Sequence, residues 1–340
     1  MSIRKLTALF SGMAIAFLAL FSLATAQDSG QTNQGGGNGL QISPTRTEVS
    51  INPGESKPYT FIVKNITSGP LDANFTINDF ESDGVTGNPK IIVDDSERTP
   101  TTISNFLTGL GNFSLKPGES KEVKFNVSVP EDAVPGAYYG IVRYAAIPKS
   151  GVLNDEAERQ LALTASLGHL VLVEISGDIN EQIQLDSLKF GKDNKGDNSD
   201  ISTSSIFFKA PDRALLAINN LGNGFSRPFG SVTINDFKNT EVQRYEVNDV
   251  TPKGIVLPKS SRTFINDLQN IKTPGRYTAT ASVAYGNGGE VITYKSSFWY
   301  LPVWFLLAIL FVIAIIGGGG YYFYKKRYAP TKSSKRKSRR

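Results

Sequence analysis

The 340-residue sequence has no cysteine, one histidine, two methionines and two tryptophans. Without thiols there is no disulfide, no thiolate nucleophile and no sulfur-ligated metal. With His169 as the sole imidazole, a Ser-His-Asp triad and a multi-histidine metal site are also excluded. His169 lies in the strand-like run LTASLGHLVLVEIS, where a structural role is expected. A pair of carboxylates could in principle work on a glycoside, but no two acids stand out for that task. No catalytic residue, cofactor or metal is expected. Sustained helical periodicity is also missing between residues 40 and 298.

Long apolar runs occur only at the two ends. Arg4 and Lys5 precede an uncharged stretch over 6–23 that closes on Ala24-Thr25-Ala26, the layout of a cleavable signal peptide over 1–26. Near the other end no charge occurs between Lys295 and Lys325, and 301–323 is mostly Leu, Ile, Val, Phe and Ala. About 20 residues at ~1.5 Å rise cross a hydrocarbon core of roughly 30 Å. A transmembrane helix is therefore expected over 299–324. Amphipathic rings favour the headgroup zone, so Trp299, Tyr300 and Trp304 at one edge and Tyr321, Tyr322 and Tyr324 at the other read as interface anchors.

Charge sets the expected orientation. The tail over 325–340 carries nine Lys or Arg and no acid, with Lys325, Lys326 and Arg327 placed as a stop-transfer signal. Basic residues beside a span stay on the cytoplasmic side, so 27–298 is expected outside the cell membrane, on a single-pass protein. Of the 36 basic residues, 25 remain once the tail, Arg4 and Lys5 are set aside, against 31 acids. The exported part is thus at −6. The basic balance of the whole chain describes targeting, and no nucleic-acid partner is expected.

Residues 27–39 are polar and Gly-rich and read as a flexible linker. Beyond them, short alternating runs predict strands with one buried face. Examples are Tyr59, Phe61 and Val63; Val123, Phe125, Val127 and Val129; and Tyr277, Ala279, Ala281, Val283 and Tyr285. The turn pairs Pro53-Gly54, Pro117-Gly118, Pro135-Gly136 and Pro274-Gly275 separate such runs. The pentapeptide TINDF at 76–80 recurs at 233–237. Upstream of each copy a strand ends in Asn before a Gly-containing turn; downstream of each comes Pro-Gly-x-Tyr. This order predicts one fold used twice: two tandem immunoglobulin-like β-sandwich domains, 40–178 and 179–298, in an all-β ectodomain.

In such sandwiches a tyrosine at the start of a late strand turns its hydroxyl back to the adjoining corner, a part assigned to Tyr138 and Tyr277. If Tyr138, Val142 and Tyr144 face the core, Tyr139 and Ile141 point outward, where the second copy carries Thr278 and Thr280. An apolar outer face needs a cover: an extra strand, the neighbouring domain or a partner protein. Tyr139 and Ile141 are the candidate partner-binding residues, and Ile141→Asp is expected to abolish partner recovery without unfolding the domain. The Asp/Asn-rich segment 192–200 has calcium-ligand chemistry but two lysines, and reads as a solvated hairpin loop. Asp79, Glu81 and Asp83 form a weaker cluster of the same kind. Asn-x-Ser/Thr triplets begin at Asn65, Asn74, Asn112 and Asn126. The glycine run 317–320 permits close helix packing, without the spacing that specifies a dimer.

The segments INPGES (51–56), FIVKN (61–65), PGAYYGIV (135–142) and LGHLVLVEISG (167–177) resemble the WxL-interacting protein family of Gram-positive cell surfaces, as does the order of parts. That resemblance implies a non-enzymatic, membrane-anchored scaffold or adhesion protein. Its first domain would contact peptidoglycan or a WxL-type surface protein, and its second would reach other partners. The alternative expectation is a membrane-tethered assembly factor resembling the two-domain pilus chaperones, which lend a strand edge to exported subunits.

Overall fold

A computed structural model describes residues 35–36, 39–93, 99–148, 166–286 and 289–328. The expected signal peptide and the tail beyond Tyr328 lie outside the described residues, as does most of the linker.

The first domain is a sandwich of two five-stranded sheets. One runs in the order β1 (Gly35–Gly36), β2 (Leu40–Ser43), β4 (Ser56–Asn65), β10 (Ser120–Ser128) and β8 (Leu107–Thr108). The other runs β3 (Arg46–Ile51), β12 (Ser166–Ile175), β11 (Gly136–Pro148), β5 (Leu71–Asn78) and β9 (Phe113–Leu115). The pair Gly35 and Gly36 adds a short strand to Ile42 and Gln41, inside the segment expected to be linker. Alternation does what the sequence predicts: Phe61, Val63, Val123, Phe125 and Val127 face Val142, Tyr144, Val171 and Val173 across one core. A two-stranded hairpin, β6 (Phe80–Ser82) with β7 (Pro89–Ile91), projects from the end of β5.

The second domain repeats the plan. Its four-stranded sheet runs β14 (Ile201–Ser204), β13 (Ile183–Asp193), β16 (Arg213–Asn220) and β19 (Ser260–Asp267). Facing it are β15 (Ile206–Phe207), β21 (Glu290–Tyr300), β20 (Gly275–Tyr285), β17 (Phe229–Asn235) and β18 (Glu241–Val247). Phe190, Leu216, Val232, Tyr277, Ala279, Ala281 and Phe298 fill the space between.

Each copy closes its early turn with the same buried asparagine. Asn65 Nδ2 donates to the carbonyls of Gly69 and Lys116, while its Oδ1 accepts from Thr67 N–H and hydroxyl. Asn220 Nδ2 donates to Gly224 and Val256, and its Oδ1 accepts from Gly222 N–H. An amide has a donor and an acceptor side, so one side chain satisfies both halves of the turn. The tyrosine corners are present too. Tyr138 donates its hydroxyl to the Val134 carbonyl at 3.0 Å, and Tyr277 donates to Thr273 at 2.7 Å.

After β21 only Leu301 and Pro302 intervene before α1 (Val303–Tyr328). The expected span therefore begins four residues later than its aromatic edge suggested, because Trp299 and Tyr300 close a strand. Leu301 N–H donates to Phe207 and extends the sheet. Pro302 cannot donate to a ladder, and its carbonyl accepts the first helical bond, from Phe305. Helix α1 is long and apolar enough to cross a membrane, and none of its residues is buried in the protein. Lys325, Lys326 and Arg327 lie in its last turn, where the helix dipole favours cations.

Candidate functional surfaces

The strand carrying Tyr139 and Ile141 is buried on both faces. Inward, Tyr144 and Val142 enter the first core. Outward, Tyr139 and Ile141 are only 7% and 6% exposed, in a cluster with Phe80, Leu172 and Ile255 that Phe225 and Leu257 complete. Ile255, Phe225 and Leu257 belong to the second domain. The cover over these two residues is therefore the neighbouring domain together with hairpin β6–β7, and they present no open surface to another protein. Burial also raises the Tyr139 hydroxyl pKa above its ordinary value.

Polar contacts ring this apolar contact. Arg227 Nη2 reaches Glu48 Oε2 at 2.5 Å, and Arg46 pairs with the same carboxylate at 3.0 Å. Ala137 N–H donates to the Asn223 carbonyl at 2.8 Å, and Phe225 N–H donates to Glu174. On the other flank Thr263 N–H donates to Val85, the Ser82 hydroxyl donates to the Ser261 carbonyl, and the Ser261 hydroxyl donates to the Gly84 carbonyl across the domains. The hairpin tip thus lies along β19, the edge strand of its sheet, and blunts an edge that would otherwise invite pairing. Gly87 in that tip has a left-handed φ of 77°, and a Cβ there would meet the Arg262 guanidinium at 2.6–2.7 Å. Burial lowers the Arg262 pKa while Asp83 opposes the shift. A cleft of about 440 Å³ lined by Arg46, Phe80, Leu172, Ile255 and Arg262 borders this contact.

A different edge has no described strand beside it. Strand β12 pairs with β11 throughout, but with β3 only over 170–175. Leu170 N–H donates to Thr45 on the β3 side. Backbone direction alternates along a strand, so the N–H groups of Gly168 and Ser166 point to that same side. No described strand lies beside them. His169 ends this stretch and is fully buried. Its Nδ1 donates to the Pro44 carbonyl at 2.8 Å, which leaves Nε2 to accept from Thr47 Oγ1 at 2.9 Å. Burial depresses the imidazole pKa to about 4. It is a neutral core residue, as its strand-like run suggested.

The remaining candidates fall elsewhere. Asp193 accepts three backbone N–H groups, from Lys195, Gly196 and Asn198, and pairs with Arg213 at 3.1 Å. These bonds lower its pKa, the Asn198 N–H most, and they use the carboxylate to shape the 192–200 loop. Among the described residues no group of three acids or His is placed to hold a metal ion. In the first TINDF copy Asp79 accepts from Thr99 and Thr102 and fastens the following loop. Of the glycosylation triplets, Asn65 is buried in its turn, whereas Asn112 and Asn126 are exposed. Trp304, Tyr321, Tyr322 and Tyr324 project from α1 and are exposed. A Cβ at any of Gly317–Gly320 would meet nothing within 4 Å.

The neighbouring domain is one of the covers that the sequence offers for Tyr139 and Ile141, but the residues that make the polar contacts are not legible there. Glu48, Asn223 and Arg227 carry no motif, and the hairpin β6–β7 interrupts what reads as a loop. The exposed Ile206, Phe208 and Phe237 at the other end of the second domain were likewise missed. Phe208 and Phe237 stand in turns and Ile206 on the outer face of β15, each an apolar residue left outside the core.

No protein-family model matches the chain, and no curated protein matches it significantly. Among solved structures it is similar to the class 5 fimbriae chaperone CfaA, at 11% identity over 78% of this chain and 100% of that chain, TM-score 0.36. It is similar to the E. coli chaperone DraB at 14% identity, over 76% and 95%, TM-score 0.31. A chain of the CsuC–CsuE chaperone–tip adhesion subunit complex of Acinetobacter baumannii gives 9% identity, 76% and 98% coverage, and TM-score 0.34. These are similarities of arrangement at low identity; the two-sandwich fold rests on the sheet order described above.

Proposed function

We propose that this chain is a membrane-anchored, non-enzymatic protein-binding module that holds an exported protein by strand addition at the outer face of the cell membrane. The observation that carries this reading is the one-sided edge of β12 at 166–169, where two outward N–H groups face no described strand. An extended segment of a partner gains main-chain bonds there without disturbing the fold. Helix α1 supplies the anchor, and the basic residues of its last turn favour a cytoplasmic C-terminus. The expectation that Tyr139 and Ile141 bind the partner is replaced, because the second domain occupies that face.

A second reading, the stable scaffold that holds peptidoglycan or a WxL-type surface protein, is favoured by the interdomain contact. A scaffold needs its domains fixed, and here both flanks of the joint are bonded.

The test exploits the absence of cysteine. Ser166→Cys in the full-length chain gives one thiol for cross-linking in intact cells, and Ser166→Pro removes one outward N–H. An exported protein that cross-links through that thiol, and that co-purifies with the cysteine-free parent chain but not with the proline variant, with far-UV circular dichroism unchanged, supports strand addition. Partner capture that ignores residue 166 overturns it. A pulse-chase then separates the readings: a complex that turns over is an assembly factor, and one that persists is a scaffold.

A further inference from the structure

The two copies of TINDF end in phenylalanines with opposite surroundings. Phe80 is 4% exposed, packed 4.9 Å from the Tyr139 ring in the interdomain cluster; Phe237 is 60% exposed. The first domain thus seats this phenylalanine against the domain beneath it. In the second domain, what lies beneath is the start of α1. Phe237 sits over Gly275, whose backbone pairs with Tyr300, two residues before Pro302.

Other apolar side chains line the same end. Ile206 pairs in register with Trp299, so the two share one exposed face of the sheet, and Phe208 continues that row. Across β20 the residue in register with Trp299 is Arg276, and beyond it Phe237 stands in the β17–β18 turn at the same end. Lys209, Lys238 and Arg276 are exposed beside this row, and Lys238 lies 5.5 Å over the Phe237 ring. The 192–200 loop at this end brings Asp197 and Asp200, so attraction to anionic lipid is not what would hold the row in place.

Distance decides the occupant. The apolar part of α1, 303–324, measures about 33 Å at 1.5 Å per residue, close to a hydrocarbon core of roughly 30 Å. Val303 then lies at the core boundary. The three Cα steps from Val303 back to Tyr300, fully extended, span at most about 11 Å. Tyr300 and the row registered to it are therefore held at the headgroup layer, where aromatic side chains are favoured.

We infer that Ile206, Phe208, Phe237 and Trp299 form a lipid-contacting rim that seats the second domain on the outer leaflet and fixes the tilt of the ectodomain. This rests on the reading of α1 as a membrane span, and the test separates the two. Single cysteines replace Phe208, Phe237 and, as a control at the far end of β21, Val291, which is also exposed. Each full-length variant is labelled with a polarity-sensitive dye and reconstituted into zwitterionic phosphatidylcholine vesicles containing headgroup-nitroxide lipid. Vesicle flotation tests the span. The expected result is flotation of all three, with quenching at 208 and 237 about threefold stronger than at 291, as interfacial residence requires. Flotation with equal quenching at the three sites overturns the rim alone. Failure to float overturns the span and the rim together.

Discussion

The imidazole of His169 stacks on the ring of Phe61, with centroids 4.3 Å apart and planes 12° from parallel. Both residues are buried, and Phe125 meets the imidazole edge-on at 6.1 Å. A protonated ring would carry charge into this core and would turn Nε2 from an acceptor into a second donor facing Thr47.

That geometry predicts an acid-labile first domain. Burial lowers the His169 pKa to about 4 from the ordinary 6.5, so the unfolded chain takes up its proton first. The contribution is complete above 6.5 and is lost as pH falls from there to about 4. The 2.5-unit gap amounts to about 3 kcal/mol at most. Urea unfolding between pH 7 and pH 5 should show a loss of about 2 kcal/mol that disappears in His169→Leu, itself less stable at pH 7. An unchanged slope in the variant would place the acid sensitivity elsewhere.

The paired asparagines give a graded prediction. Asn220→Ala strands two buried carbonyls and a buried N–H and should cost about 2–4 kcal/mol. The partners that Asn65→Ala strands are only part-buried, and it should cost less, about 1–2 kcal/mol, each change acting in its own domain. Domain-resolved hydrogen exchange reads the difference; a loss below about 1 kcal/mol in either would show that water replaces the side chain at no penalty.

Three tyrosine-to-phenylalanine changes should diverge. Tyr277→Phe removes the bond to the Thr273 carbonyl and the contacts from Thr273 N–H and hydroxyl, and should cost about 2 kcal/mol. Tyr138→Phe removes one exposed bond and should cost about 1 kcal/mol or less. Tyr245→Phe should be neutral or mildly stabilising, because its hydroxyl is buried without a partner among the described residues. Thermal unfolding ranks the three, and any other order contradicts the bonding described.

The joint between domains supplies a further prediction. Ile141→Asp puts a carboxylate into the apolar cluster and should separate the domains rather than merely release a partner. Ile255→Ala, on the other side, leaves both cores intact and should weaken the joint by about 2 kcal/mol. Scattering would report a broader distribution of interdomain angles for both. Arg227→Ala, which breaks a half-exposed pair, should change this little, by about 0.5 kcal/mol.

The sandwiches were legible because alternation, Pro-Gly turns and terminal asparagines are local signals, set by strand period and turn chemistry. Tyr138 and Tyr277 were legible for the same reason: their partners lie four residues upstream. The surroundings of Tyr139 were not. Its outward direction follows from period two, but its cover comes from Phe225 and Ile255, about ninety and more than a hundred residues away along the chain. Phe80 and Phe237 make the limit plain, since identical pentapeptides end in a buried ring and an exposed one. The aromatic edge of the span misplaced its start because Trp299 belongs to strand β21.

The passage from β21 to α1 through Leu301 and Pro302 has a mechanical consequence. A pull on α1 enters the second domain along β21, parallel to its eleven-residue pairing with β20. Those bonds are loaded together in shear instead of being peeled one at a time. Strand β21 is thus the part of the domain best suited to bear such a pull, and the helix draws on the whole sheet for its resistance.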